Sequence, residues 1–189
     1  MKKVFLWVCI GLCIMLTGQA WAASGEQAGQ NIQGVQEIFS SLESAFEAEN
    51  VNGIINCFAE VVPSTDVPRG LFLIYTQAQM REEYDMTFPL VEDVRVDFLN
   101  LQIICDRDTA MAKTLRRIEA RALIPGFPPV IYAEMVYTLQ KTNHGWGNQN
   151  WKIVNQVLTD EWYEFGEVSG MEVAQSKQSR KKSRPLFWF

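Results

Sequence analysis

The stretch Val130–Leu158, VIYAEMVYTLQKTNHGWGNQNWKIVNQVL, reads as two strands joined by a polar turn, and the rest of the chain is read around it. In its first arm Ile131, Ala133, Met135, Tyr137 and Leu139 alternate with Val130, Tyr132, Glu134, Val136, Thr138 and Gln140. A period of two with one wholly apolar face marks a half-buried strand. Asn143-His144-Gly145-Trp146-Gly147-Asn148 is dense in residues that tolerate positive φ, and β-rich Trp151–Leu158 follows at once. The pattern predicts a long-looped antiparallel hairpin whose apolar face is covered by what precedes it.

Immediately upstream, Thr109–Leu123 repeats the alternation, with Ala110, Ala112, Thr114, Ile118, Ala120 and Ala122 on one side and Lys113, Arg117, Glu119 and Arg121 on the other. Before the Asp106-Arg107-Asp108 turn, Val94, Val96 and Phe98 alternate with Arg95 and Asp97, and Leu99, Leu101, Ile103 and Cys105 share a face. Further back the period lengthens. Val35, Ile38, Phe39, Leu42, Ala45 and Phe46 recur at three- and four-residue steps, which predicts an amphipathic helix. A second helical run carries Val51, Ile54, Ile55, Phe58 and Ala59 to a stop at Pro63; Ser64–Pro68 reads as a loop and Gly70–Phe88 as a third helix. Helices first and then an antiparallel meander of about four strands is an α+β arrangement, with the helices packed on one sheet face.

The chain of 189 residues, 48% apolar and 21% charged, has room for one domain and tails. Residues 1–22 have the order of a secretory signal, with Lys2-Lys3, an apolar run Val4–Leu16 and Ala20-Trp21-Ala22, so export to the periplasm or outside the cell is expected. Residues 23–34 read as a flexible leader, 35–162 as the domain and 163–189 as a basic, aromatic-ended tail. All 22 acidic residues lie between Glu26 and Glu172 with 10 of the 17 basic ones, a net charge of −12 that repels a nucleic-acid backbone. Lys177, Arg180, Lys181, Lys182 and Arg184 then precede Leu186-Phe187-Trp188-Phe189, a composition suited to an anionic membrane surface or a partner groove, or to a tail whose aromatics fold back.

Taken together, VQEIFSSLESAFEAENVNGIINCFAEVV, QMREEYDMTF, LNLQIICDRDTAMAKTLRR and WKIVNQVL resemble the nuclear transport factor two-like superfamily, in its SnoaL-like and ketosteroid-isomerase-like branch. The resemblance covers residues 35–160. It implies a curved sheet wrapped around helices to form a cone-shaped pocket, often paired into homodimers through the sheet. It also implies a small molecule or peptide in the cone, bound by a non-enzymatic module or turned over by proton abstraction on an apolar carbonyl compound.

The isomerase chemistry needs a carboxylate base and hydroxyl donors aimed at a developing oxyanion. Asp97, Tyr75 and Tyr84 are the residues of those types, with Glu134 on the hairpin. The alternation places Asp97 beside Arg95 and Glu134 opposite the apolar set, as solvated outer residues; Tyr75 and Tyr84 also read as core aromatics. Arg116 is the anomaly, because it shares the face of Ala112, Thr114, Ile118 and Ala120. It is turned out by a bulge, paired with an internal carboxylate, or exposed to an acidic ligand. Tyr137 and Trp151 are the remaining ligand-binding candidates, although Trp151 also reads as a core anchor. Cys57 and Cys105 are candidates for a disulfide, or two small buried side chains. His144 stands alone in a turn, and no metal-ligand spacing, phosphate loop or nucleophile elbow is present, so no cofactor is expected.

Overall fold

A computed structural model describes residues 28–124, 128–144 and 148–164, with the side chains at 143, 144, 148 and 149 outside the description. The expected signal segment, Trp146 and the basic tail lie outside the described residues, as does the His144 side chain. The first helix, α1, is described over residues 28–47, and α2 spans Val51–Asn56. Strands β1 (Val61–Asp66) and β2 (Leu71–Thr76) come next, then α3 (Gln77–Thr87) and a single 3-10 turn, Phe88–Leu90. Four long strands complete the fold: β3 (Val91–Asp106), β4 (Thr109–Ala122), β5 (Val130–His144) and β6 (Asn148–Glu164).

The α+β arrangement holds, but the sheet has six strands rather than about four, in the order β2-β1-β6-β5-β4-β3. It is also mixed, since β1 runs parallel to β6 through Ser64–Gln156, Thr65–Val157 and Asp66–Leu158. Both additional strands fall where the sequence reading placed a loop and half of a helix. The second helical run stops at Asn56 because Phe58 bridges to Ile153 and draws the chain onto the sheet. Pro63 then sits within β1, opposite Ile74, one residue before the β1–β6 ladder begins. A missing N–H does no harm there.

Leu71–Thr76, LFLIYT, is rich in aromatic and branched residues that suit a pleated strand. The helix expected from Gly70 starts only at Gln77. A reciprocal capping box fixes that start: Thr76 Oγ1 accepts from the Gln79 N–H at 3.2 Å, and Gln79 Oε1 accepts from the Thr76 N–H at 2.9 Å. Upstream, α1 includes residues 28–34, which had read as leader. Asn31 and Gly34 explain the extension. Asn31 is buried and donates to the Arg107 carbonyl at 2.9 Å, and Gly34 lies under the Trp151 ring.

The buried stripe Val35, Phe39, Leu42, Ala45 and Phe46 of α1 covers the inner face of the sheet, as the helical spacing requires. Ala112, Ala133, Met135, Tyr137, Leu139 and Ile153 meet it from β4, β5 and β6. Register shifts in β3 between Glu92 and Arg95 and between Leu99 and Gln102 bend the sheet, with Asp93 and Asn100 at positive φ (56° and 54°). The Thr114 hydroxyl anchors the second irregularity by donating to the Leu99 carbonyl at 2.7 Å.

Candidate functional site

Strand β4 carries the side chain that the alternation marks as anomalous. Its pairing with β5 runs without a shift from Thr109–Gln140 to Glu119–Val130, so no bulge turns Arg116 out. Arg116 is 7% exposed, opposite Phe98 on β3 and Ala133 on β5. The small Ala133 leaves the long side chain room to extend across the inner face. Among the described residues Arg116 is the one buried cation, it has no ion pair, and its Nε has no hydrogen-bond partner.

Its surroundings are aromatic. Tyr137 packs edge-on against Phe39 and Phe98 at 5.4 and 6.1 Å between ring centroids, and Phe39 meets Phe98 at 4.9 Å. From the helical layer, Tyr84 packs edge-on against Phe46 and stacks on Phe88, each at 5.6 Å. Burial raises the hydroxyl pKa of both tyrosines and outweighs the opposing pull of Arg116, which also hydrogen-bonds Tyr137. Both hydroxyls are therefore neutral near pH 7 and bring no counter-charge to the guanidinium.

The other candidates separate from this group. Asp97 lies on the outer face, in ion pairs with Arg95 and Arg117 at 3.1 Å each. Arg117 continues the ladder to Glu119 at 2.7 Å, and hydrogen bonds to Tyr132, Asp97 and Glu119 hold its pKa up. Glu134 is half-buried on the outward-pointing set of β5. Tyr75 is buried on β2 rather than carried by a helix, and its hydroxyl pKa is pushed up to about 12, mainly by burial. Trp151 is buried under α1 with Lys141 over its ring at 5.4 Å, which makes it a packing anchor.

Cys57 and Cys105 are both free thiols. Cys57 caps α2 with its sulfur toward the Gly53 carbonyl at 3.5 Å, whereas Cys105 is half-buried near the β3–β4 turn, opposite Ala110. Burial pushes the Cys57 thiol up to about 11, against the pull of Lys152. Sequence reasoning missed the network at the β1–β2 turn. Buried Asp66 accepts from the Arg69 N–H and guanidinium at 3.1 Å each, and Arg69 also binds Glu161. Asp66-x-x-Arg69 after a β-rich run was the available signal.

Comparisons with known proteins agree on architecture. No protein-family model and no curated protein matches the sequence. Solved structures do. A scytalone dehydratase candidate from Novosphingobium aromaticivorans superimposes with a TM-score of 0.58 at 11% identity, over 78% of this chain and 99% of that one. A protein of unknown function from Mycobacterium tuberculosis gives 0.56 at 16% identity, over 70% and 73%. A nuclear transport factor two-like protein of unknown function in nutrient uptake from Rhodospirillum rubrum gives 0.52 at 15%, over 66% and 95%.

The chain has the nuclear transport factor two-like fold. At these identities the likeness establishes the fold and leaves the activity to be argued from the site. In that fold, the inner sheet face carrying Arg116 and Tyr137 is the face covered by the helices, from which Tyr84 of α3 meets them.

Proposed function

We propose that this protein is an exported, non-enzymatic binding module that takes a small molecule into the interior of its nuclear transport factor two-like fold. One observation carries the reading: Arg116 is buried among Phe98, Tyr137 and Tyr84 with no carboxylate partner among the described residues. A fold has little to gain from such a group unless something else meets it. The proton-abstraction reading lacks the same support, since Asp97 is on the opposite face of the sheet and engaged by two arginines. Mass spectrometry of the protein purified from its native host under non-denaturing conditions tests the proposal. A co-purified small molecule, lost on unfolding, is the expected result; the bare polypeptide mass alone, with no shift in thermal stability across a metabolite library, defeats it.

A second reading, pairing of two copies through the sheet, is favoured by the outer surface. Ile104 and Met111 are paired across β3 and β4 and are 74% and 53% exposed. An exposed apolar pair in water suits an interface. Sedimentation analysis of wild-type protein and an Ile104→Glu, Met111→Glu double variant tests it: a dimer that the substitutions convert to monomer is expected, and a wild-type monomer at all concentrations removes the reading.

A further inference from the structure

We propose that the ligand of this interior is a small monocarboxylate with an apolar or aromatic body, and that the Arg116 guanidinium binds its carboxylate. The proposal rests on the binding-module reading and adds the chemical class. A guanidinium stays protonated at any ordinary pH, so it cannot escape burial by losing its charge as a lysine can. A buried charge needs a counter-charge.

The fold supplies none from the described residues. Glu43 of α1 accepts from the Phe98 N–H at 2.9 Å, a neutral donor, and forms no ion pair with Arg116. Asp66 and Glu161 are held by Arg69, and Asp97 by Arg95 and Arg117. The tyrosine hydroxyls beside Arg116 are neutral, as argued above. Negative charge is therefore left to a ligand.

Three features narrow its class. Arg116 is alone as a buried cation among the described residues, and one positive charge balances one negative charge better than the two of a phosphate monoester. The planar fork of a guanidinium matches the two oxygens of a carboxylate. Phe98 is its cross-strand neighbour, and Phe39, Phe46 and Phe88 pack on Tyr137 and Tyr84 beside it, ring surfaces that favour a hydrocarbon or aromatic body over a sugar or a polar chain. The Tyr137 hydroxyl, already in contact with Arg116, is placed to donate to the same carboxylate.

Isothermal titration of the purified protein with hydrocinnamate and decanoate, each beside its primary amide, tests the class. A hydrogen bond to a charged group is worth about 1.5–3 kcal/mol, so the carboxylates are expected to bind at least about tenfold more tightly than the amides. Arg116→Met is expected to erase that difference, and Arg116→Lys to keep part of it. Equal affinity of acid and amide for the wild-type protein overturns the carboxylate class while leaving the binding reading standing. Binding of none of the four probes overturns the class and counts against the binding reading as well. The wild-type comparison decides the question even if Arg116→Met does not fold.

Discussion

Asp97 and Arg116 stand on opposite faces of one antiparallel ladder: Asp97 is paired with Arg117 across β3 and β4, and Arg116 with Phe98 one position along. The two residues most suggestive of chemistry in the sequence are therefore separated by the thickness of the sheet. Asp97 belongs to a solvated ion-pair row with Arg95, Arg117 and Glu119, while Arg116 belongs to the interior. Asp97→Asn is expected to leave ligand affinity unchanged and to cost no more than about 1 kcal/mol, because ion pairs at a partly exposed surface contribute little. Urea denaturation and titration of the variant check this; a tenfold loss of affinity would return Asp97 to the site.

Arg116 leads to the opposite kind of prediction. Replacing a buried, unneutralised charge with an apolar side chain of similar length removes a desolvation penalty. Arg116→Met is expected to make the ligand-free protein about 1–3 kcal/mol more stable, while weakening carboxylate binding. Stability in excess of the wild type, lost as function is lost, is a familiar mark of a site held against the interests of the core. Chemical denaturation of both proteins after unfolding and refolding, which strips bound molecules, gives the comparison. A less stable variant would show that Arg116 is a structural member of the core.

The alternation of β3, β4 and β5 was legible because each of these strands has one face on the core and one in water, which makes the period of two visible. Arg116 was legible for the same reason, as a break in an otherwise small and apolar set. What the sequence concealed was β1 and β2. Val61–Asp66 contains a proline and turns Val62, Ser64 and Asp66 to the core, a mostly polar set, and Leu71–Ile74 are all exposed, at 44%, 64%, 39% and 55%, so neither strand shows an apolar alternation in the sequence. An apolar run without periodicity fits a helix or a strand equally, and only the Thr76-x-x-Gln79 box marks where one ends and the other begins. The Arg116 environment was illegible for a different reason: Tyr84 reaches it from a helix distant in sequence.

That box gives a direct test of the boundary. Thr76→Ala removes the acceptor for the Gln79 N–H and leaves a helix terminus uncapped, so a loss of about 1 kcal/mol is expected. Gln79→Ala removes the reciprocal half and should cost less. If residues 70–76 were helical, Thr76→Ala would instead be neutral or stabilising, since alanine is the better helix former. Urea midpoints of the two variants distinguish the cases.

Gly34 shows how closely α1 lies on the sheet. A Cβ at this position would meet the Trp151 ring at 2.8 and 2.9 Å, closer than side chains come to one another. Alanine elsewhere in a helix is worth up to about 1 kcal/mol over glycine. Here the clash with a buried indole dominates, and overpacking costs about 1–3 kcal/mol, so Gly34→Ala is expected to lower the melting temperature. Pairing it with Trp151→Phe, which shortens the ring, should restore part of the loss. Additive losses in the double variant would show that the two residues do not touch.

The buried thiol and phenol groups set the response to alkali. Cys57 is raised from 9.0 to about 11 and Tyr75 from 10.0 to about 12, both mainly by burial. Each group is harder to ionise folded than unfolded, so its contribution to stability is complete below the unfolded value and is lost as pH rises toward the folded one. Stability is therefore expected to fall between pH 9.0 and about 12, with the Cys57 part lost first, by about 11. Cys57→Ala should flatten the first part of that fall, at the expense of a small cavity beneath α1. Thiol alkylation provides an independent reading of the same burial. Half-buried Cys105 is expected to react before Cys57 in the native protein, and both to react at one rate once unfolded. A native Cys57 that reacts as fast as Cys105 would remove the basis for its raised pKa and with it the predicted alkaline loss.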